Sequence, residues 1–432
     1  MPALREAEKT LTSSDRSRAL RVALLVYRGN PRSGGQGVYV RHLSEELVSL
    51  GHHVTVFAGR PYPELADDVV LERLPSLDLY RDVDPFRVPH LREIEHTDDL
   101  LELATMFTGG FGEPRAFARR AREALRTRIG EFDLVHDDQG LGRGLLGMIA
   151  DGWPVIASIH HPVTIDRSID LAEARSDAKR RSIRRWYGFS TMQRRVARRL
   201  DRIITVSETS KRDIEREMGL GPSRVGVVPI GVDQTVYAPT PGTSRVAGRI
   251  MTTASADVAL KGLGHLLEAV GKLRTERPET HLVVIGTLRK GSVADQTIST
   301  LGLESAVEFV SGPTDAEIAR RYAEASVAVV PSLYEGFSLP AIEAMSCGTP
   351  LVATTGGALP EVVGDDGATA VLVPPGDASA LAAGVGRIFD DPAAAAAIAE
   401  RGRLRVVQRF SWRMTAERTV EEYRRILDAT QC

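Results

Sequence analysis

The sequence predicts an α/β protein built from two doubly wound, Rossmann-like parallel-sheet domains that face each other across a cleft. Three observations carry this. Short apolar, β-branched runs recur with amphipathic stretches between them, the pattern of parallel strands joined by crossover helices. The alternation stops at a turn-rich segment, PIGVDQTVYAPTPGTS from Pro229 to Ser244, and then begins again. The 432 residues, 43% hydrophobic and 26% charged, suffice for two cores.

Taken in order, residues 1–18 read as a polar tail, expected to be disordered, with no apolar centre that would serve a signal peptide. The first domain, 19–232, holds strand candidates in RVALLVY from Arg21, HVTVFAG from His53, DLVHDD from Asp133, PVIASIH from Pro154 and RIITVS from Arg202. An insertion from Pro75 to Phe117 has few strand signals, and loops of that length are usually functional or partly disordered. The second domain, 233–410, offers GRIMTTAS, HLVVIG, VEFVSG, VAVVPS, LVATTGG and AVLVPPG. The last segment, 411–432, has the apolar spacing of a surface helix that caps the fold.

Composition excludes several classes. With 55 basic and 57 acidic residues the formal charge is -2, which gives the chain as a whole no case for nucleic-acid binding. Cys347 and Cys432 are too few for a disulfide framework or a thiolate zinc site, so a cytoplasmic location fits. No apolar run approaches the roughly 20 residues of a membrane span.

Ligands of doubly wound sheets bind beyond the carboxyl ends of the strands, so the loops that follow strands are where chemistry is sought. After the first strand comes NPRSGGQGVYVRHLSEELVSLG, a glycine-rich turn that opens a helix. Gly34 and Gly35 put no side chain between an anion and the backbone amides, and turn geometry alone is the competing reason for them. The dinucleotide fingerprint is absent: the turn reads GGQG, and the second strand ends FAGR without an acidic residue. His160 and His161 end the fourth strand in ASIHHP. Neighbours on a strand point to opposite faces, so at most one of them faces the cleft, where imidazole hydrogen-bonds a hydroxyl or carbonyl, and the other is structural.

Lys261, in TTASADVALKGLGHLLEAV, stands near a helix start that is already partly positive. An anionic ligand resolves that conflict, and a solvated surface lysine is the alternative. In YEGFSLPAIEAMSCGTP, from Tyr334, the loop after VAVVPS carries Glu335, with Pro340 near the first helical position and Glu343 in the first turn. An ionised Glu343 accepts two hydroxyl hydrogen bonds, as a ribose diol offers, or simply stabilises the helix start. The amides of Phe337, Ser338 and Leu339 face whatever Glu335 faces. Helix stabilisation does not account for Glu335.

Two further stretches carry charge that the strand-end loops do not explain. Asp82 and Asp84 form a D-x-D pattern of the kind that can hold a divalent metal, but they lie in the insertion rather than after a strand, so no metal site is expected. Residues 177–202 concentrate Lys179, Arg180, Arg181, Arg184, Arg185, Arg194, Arg195, Arg198 and Arg199 around Trp186, Tyr187 and Phe189. They suit an acidic partner, either lipid phosphates at the inner membrane face or a phosphorylated sugar, or else a solvated helix whose arginines pair with acidic neighbours.

The pair Glu335 and Glu343 forms an E-x7-E signature in EGFSLPAIE, followed by AMSCGTPLVATTGG. With SGGQGVYVRHLSEEL, ASIHHP, ITVSETSKRDI, PIGVD, ALKG and the terminal FSW, it makes the chain resemble the retaining glycosyltransferases of family 4 from about Arg21 to the end. The resemblance implies a GT-B architecture and transfer of a hexose from a nucleotide diphosphate sugar to an acceptor hydroxyl, with no cofactor and no metal. It implies that Glu335 approaches the donor sugar, Glu343 the ribose, Lys261 and the Gly35 amide the diphosphate, and His160 the sugar or the reacting region. The chain departs from the family pattern at Ser255 and Ala256, where members usually place an arginine before the lysine. Arg289 and Lys290, in VVIGTLRKG, are the nearest substitutes by topology. The alternatives are a sugar-nucleotide epimerase or hydrolase on the same architecture, or a sugar-nucleotide-binding regulatory protein without turnover. Fold-level likeness does not identify the sugar, the base or the acceptor.

Overall fold

The computed structural model of the chain describes residues 18–31, 35–81, 84–254 and 258–431. Its first sheet contains β1 (Arg21–Val26), β2 (His53–Ala58), β3 (Val70–Arg73), β4 (Leu134–Asp138), β5 (Val155–Ser158), β6 (Arg202–Thr205) and β7 (Val225–Val227). All seven are parallel, in the order β3-β2-β1-β4-β5-β6-β7. The second sheet contains β8 (Val246–Thr253), β9 (His281–Ile285), β10 (Val307–Val310), β11 (Ala325–Val330), β12 (Leu351–Thr354) and β13 (Val371–Val373), also parallel, in the order β10-β9-β8-β11-β12-β13. The strand order reverses between β1 and β4 and again between β8 and β11. Those two switch points open the crevices in which doubly wound sheets bind ligands.

The central strands are apolar because helices cover both faces. In β1 every residue from Val22 to Val26 is buried, and the helix Gln36–Ser49 lays Tyr39, Val40, Leu43 and Leu47 against the sheet at helical spacing. The edge strands β3 and β7 fall outside the sequence expectations. They have four and three residues, and β3, VLER, is half polar and partly exposed, so neither leaves a periodic signal.

The insertion is ordered around a small core of Leu77, Leu79 and Met106. It holds a short antiparallel pair, Tyr80–Arg81 with Asp84–Pro85, and the helix Thr97–Phe107, and it leads into the helix Glu113–Arg126. Residues 177–202 form three pieces rather than one helix: Asp177–Trp186, a 3-10 turn Tyr187–Phe189, and Ser190–Ala197.

The final helix, Trp412–Gln431, returns to the first domain. Its Tyr423 hydroxyl meets His136 Nδ1 at 2.7 Å, Glu422 pairs with Arg202, and Trp412 stacks on His42 with ring centroids 4.9 Å apart. The outgoing and returning chains touch where Val232 bridges Ser411. A Cβ at Gly231 would lie 2.1 Å from Trp412 N, so the glycine in PIGVD is the condition for that crossing. Among the described residues no helix is long and apolar enough to cross a membrane.

Candidate active site

At the second switch point, the loops after β8 and β11 are pressed together. Gly262, at φ 65°, ends the 3-10 turn Ala259–Lys261, and a Cβ on it would stand 2.0 Å from Pro331 O. That approach brings Lys261 Nζ to within 2.8 Å of Glu335 Oε1, to which Ser332 Oγ also donates at 2.7 Å. Glu335 is 8% exposed, so its carboxylate is fixed on one oxygen at the cleft wall.

The loop then turns into the helix Leu339–Ser346 through Ser338, a non-glycine residue at φ 96°. Such a conformation is costly and is kept where surroundings impose it. Ser338 Oγ is buried without a hydrogen-bond partner, and the Phe337 ring packs into the core on Phe410, 5.4 Å between centroids. Leu339 and Pro340 open the helix, which places Glu343 in its second turn rather than the first, because the helix already begins one residue before Pro340. Its half-buried carboxyl group has no hydrogen-bond partner among the described residues. Burial, and then the negative charge of Asp315, pushes its pKa up to about 8.

At the first switch point, Gly35 caps the helix Gln36–Ser49 at φ 76°, with open space where a Cβ would stand. Gly37 has the opposite reason to be glycine, since a Cβ there would meet Asn30 O at 2.1 Å. Beside them, β4 ends in Asp138, which is fully buried. Asp138 Oδ1 accepts from His160 Nε2 at 2.8 Å, whereas its Oδ2 is buried with no partner. The turn after β4 holds Gln139 and Leu141 in left-handed conformations, φ 57° and 48°. Asp137 accepts from the Leu141 amide at 2.8 Å, and Gln193 donates to Gln139 O at 3.1 Å, which keeps the strained turn in place. Burial raises the Asp137 pKa to about 7, against the pull of the Leu141 amide.

The two histidines point in different directions. His160, the one chosen from the sequence, has its imidazole on Asp138 and edge-on to Tyr39 at 4.8 Å, both in its own domain. His161 faces the second domain, 6.1 Å from the Tyr334 ring, and its Nε2 donates to both oxygens of Asp166 at 3.0 and 3.1 Å. Burial opposes charge on His161, but the Asp166 hydrogen bond and charge outweigh it and hold its pKa above the ordinary value.

The domains are stitched together at this place. Gly336 O accepts from Ser207 Oγ at 2.7 Å and from Ser210 Oγ at 3.1 Å, and Ser210 Oγ lies 3.0 Å from His160 O. Tyr334 donates to Asp213 at 2.7 Å. The Glu361 carboxylate accepts from the amides of Glu208 and Thr209, at 2.8 and 3.1 Å, at the N-terminus of the helix Glu208–Met218. A carboxylate is favoured there by the helix dipole. Sequence reasoning missed Asp138, Asp166, Tyr334 and Glu361. The acidic run after β4's VH was the one available signal, because strand-end carboxylates face the crevice.

Gly34, Asp82, Ser255 and Ala256 lie outside the described residues, so the first glycine amide, the D-x-D pattern and the missing arginine have no structural account. Asp84 is exposed and pairs with Arg81 at 2.8 Å. Arg289 and Lys290 are exposed in the loop after β9.

Comparison with known proteins agrees with this fold. The family model described as Glycosyltransferase Family 4 matches residues 33–236, and that described as Glycosyl transferases group 1 matches residues 245–405. The MMP alpha-(1->4)-mannosyltransferase of Mycolicibacterium hassiacum is 49% identical over 409 residues, 94% of this chain and 98% of that protein. Among solved structures, sucrose-phosphate synthase from Thermosynechococcus elongatus superposes with a TM-score of 0.71 at 22% identity, covering 95% of this chain and all of that one, 100%. Anabaena HepE in complex with UDP and glucose gives a TM-score of 0.67 at 18% identity, over 93% of this chain and 99% of that one.

Proposed function

The chain belongs to glycosyltransferase family 4, and from that premise we propose that it transfers a mannosyl group from a nucleotide diphosphate sugar to an acceptor hydroxyl, with retention and without a metal ion. The sugar follows the name of the 49%-identical relative. The observation that carries the reading is the meeting of Lys261 and Glu335 at 2.8 Å at the second switch point, beside a Glu343 with no partner among the described residues.

In this reading the donor diphosphate draws Lys261 from Glu335, which leaves a Glu335 oxygen for a sugar hydroxyl while Ser332 still holds the carboxylate. Glu343 accepts from the ribose hydroxyls. As the C1–O bond breaks, negative charge grows on the diphosphate. Lys261, the Gly35 amide and the amides of Phe337, Ser338 and Leu339 at the helix start meet that charge in place, the preorganised electrostatic help that dominates many enzymes. Arg289 or Lys290 supplies a second cation. The acceptor oxygen bonds to C1 on the face the diphosphate leaves, and its proton passes to the departing phosphate oxygen. Asp138 accepts the hydrogen bond of His160 Nε2, so Nδ1 is the nitrogen left to hydrogen-bond the donor sugar.

A cytoplasmic location is part of the same proposal, supported by the buried free thiol of Cys347. None of the relatives reported above is named as an epimerase, a hydrolase or a regulatory module. The test is a panel of nucleotide sugars in a thermal-shift assay, where a donor at about 100 times its Kd adds about 2.7 kcal/mol of stability. A stabilising donor that is then turned over in excess chelator supports the reading. No stabilisation by any member, or turnover lost to chelator and restored by magnesium or manganese, contradicts it.

A further inference from the structure

The cationic stretch of the first domain takes no part in the chemistry above. In the helix Asp177–Trp186, Lys179, Arg180, Arg181, Arg184 and Arg185 are all exposed, and the helix's one carboxylate is Asp177 at its start. Among the described residues Lys179, Arg181, Arg184 and Arg185 have no ion-pair partner, so the solvated helix with paired arginines expected as an alternative is not what forms. The insertion beside it has already used most of its carboxylates: Arg81 pairs with Asp84, Arg87 with Glu93, and Arg120 with both Asp99 and Glu102. Glu95 and Glu173 are the exposed carboxylates left nearby in the chain.

The neighbouring insertion exposes apolar side chains. Phe86, Val88, Leu91, Leu100 and Phe107 are 55% to 87% exposed, and they make up five of the fourteen exposed large hydrophobic side chains among the described residues. Leu100, Ala104 and Phe107 fall on one side of the helix Thr97–Phe107, all exposed. The apolar and cationic parts adjoin: the Phe86 ring lies 5.9 Å from Trp186 at the end of the arginine helix, and a Cβ on Gly109, two residues past Phe107, would touch Arg185 Cδ at 3.4 Å. Exposed apolar side chains set beside unpaired cations in this way mark an interaction site.

We propose that the insertion from Phe86 to Phe107, together with the helix Asp177–Trp186, is a docking surface for a bilayer that carries anionic lipid. Apolar side chains flanked by unpaired cations match the two layers they would meet, the acyl boundary and the phosphates. A second copy fits worse, because a two-fold contact through this patch sets the arginine helix against itself.

The test is sedimentation of the full chain with vesicles of neutral phosphatidylcholine and of phosphatidylcholine mixed with phosphatidylglycerol. The protein is expected to pellet with the anionic vesicles at physiological salt and to leave them at about 0.5 M, where the Debye length falls to about 4 Å. R181E/R184E and, separately, L91S/F107S are expected to reduce the bound fraction at least about tenfold, with melting temperature and donor binding kept. Recovery in the supernatant with both vesicle types overturns the proposal, and so does equal binding to neutral vesicles or wild-type binding by L91S/F107S. A concentration-dependent dimer in light scattering that L91S/F107S abolishes, without vesicle binding, assigns the patch to a second copy and overturns it too.

Discussion

Glu335 and Glu343 carry the same group on the same loop and helix, yet their surroundings assign them different work. Glu335 is held by Lys261 and Ser332, and in the proposed reading its free oxygen meets the reacting sugar, so Glu335→Gln is expected to lower kcat by about 100-fold or more with KM little changed. Glu343→Ala should raise the donor KM about tenfold, about 1.4 kcal/mol, and leave kcat nearly intact. Steady-state kinetics separates the two. Glu343 also sets a pH dependence. Its pKa is raised from 4.5 to about 8 by burial and the charge of Asp315, and in the proposed reading the form that accepts the ribose hydroxyls is the carboxylate. Affinity for an intact sugar nucleotide should therefore strengthen as pH rises toward 8 and then level, and in Glu343→Gln it should be flat, as calorimetry will show. Stability runs the other way. A carboxyl group whose folded value exceeds its unfolded one contributes fully below about 4.5 and loses that contribution as pH rises through about 8. Glu335 and Lys261 were legible because each is a charge its local element does not explain. Asp138 was not, since it reaches His160 only once β4 and β5 are neighbours, with Asp138 in register with Ser158.

At the scale of elements, the six strands of the second sheet were legible as apolar β-branched runs, whereas β3 and β7 were lost because four half-polar residues and three residues are too short to leave a periodic signal. The helices of the insertion were missed for a related reason: charged residues interrupt their apolar spacing, and Asp99, Glu102 and Arg120 are buried as an ion cluster rather than exposed. Glycines distinguish two loops that look alike in sequence. At Gly262 a Cβ would strike Pro331 O and the backbone is left-handed, so Gly262→Ala should cost roughly 2 kcal/mol or more and push Lys261 away from Glu335. At Gly35 the backbone is also left-handed but the Cβ has room. Gly35→Ala should therefore cost about 1 kcal/mol of stability, while the side chain it adds at the open helix start weakens donor binding. Melting curves with and without donor test the contrast, and equal loss at both positions would contradict it.

Across the whole molecule, the proposed reaction needs the two switch points held together. The first domain's Ser207 and Ser210 grip Gly336 of the second, Glu361 caps a helix of the first, and the last helix ties the chain's end back to where it began. The two-domain plan could be read from the sequence, because strand alternation restarts after Pro229. The return of Trp412–Gln431 to the first domain could not, since an amphipathic helix does not name the surface it will cover. The most direct test of the account is the anomeric configuration of the first product formed from an α-linked nucleotide sugar, followed by NMR in excess chelator as the reaction proceeds. The account predicts an α-linked glycoside from the earliest time point, formed with release of the nucleoside diphosphate. A β-linked product, or free sugar alone in the presence of every acceptor tried, would contradict it.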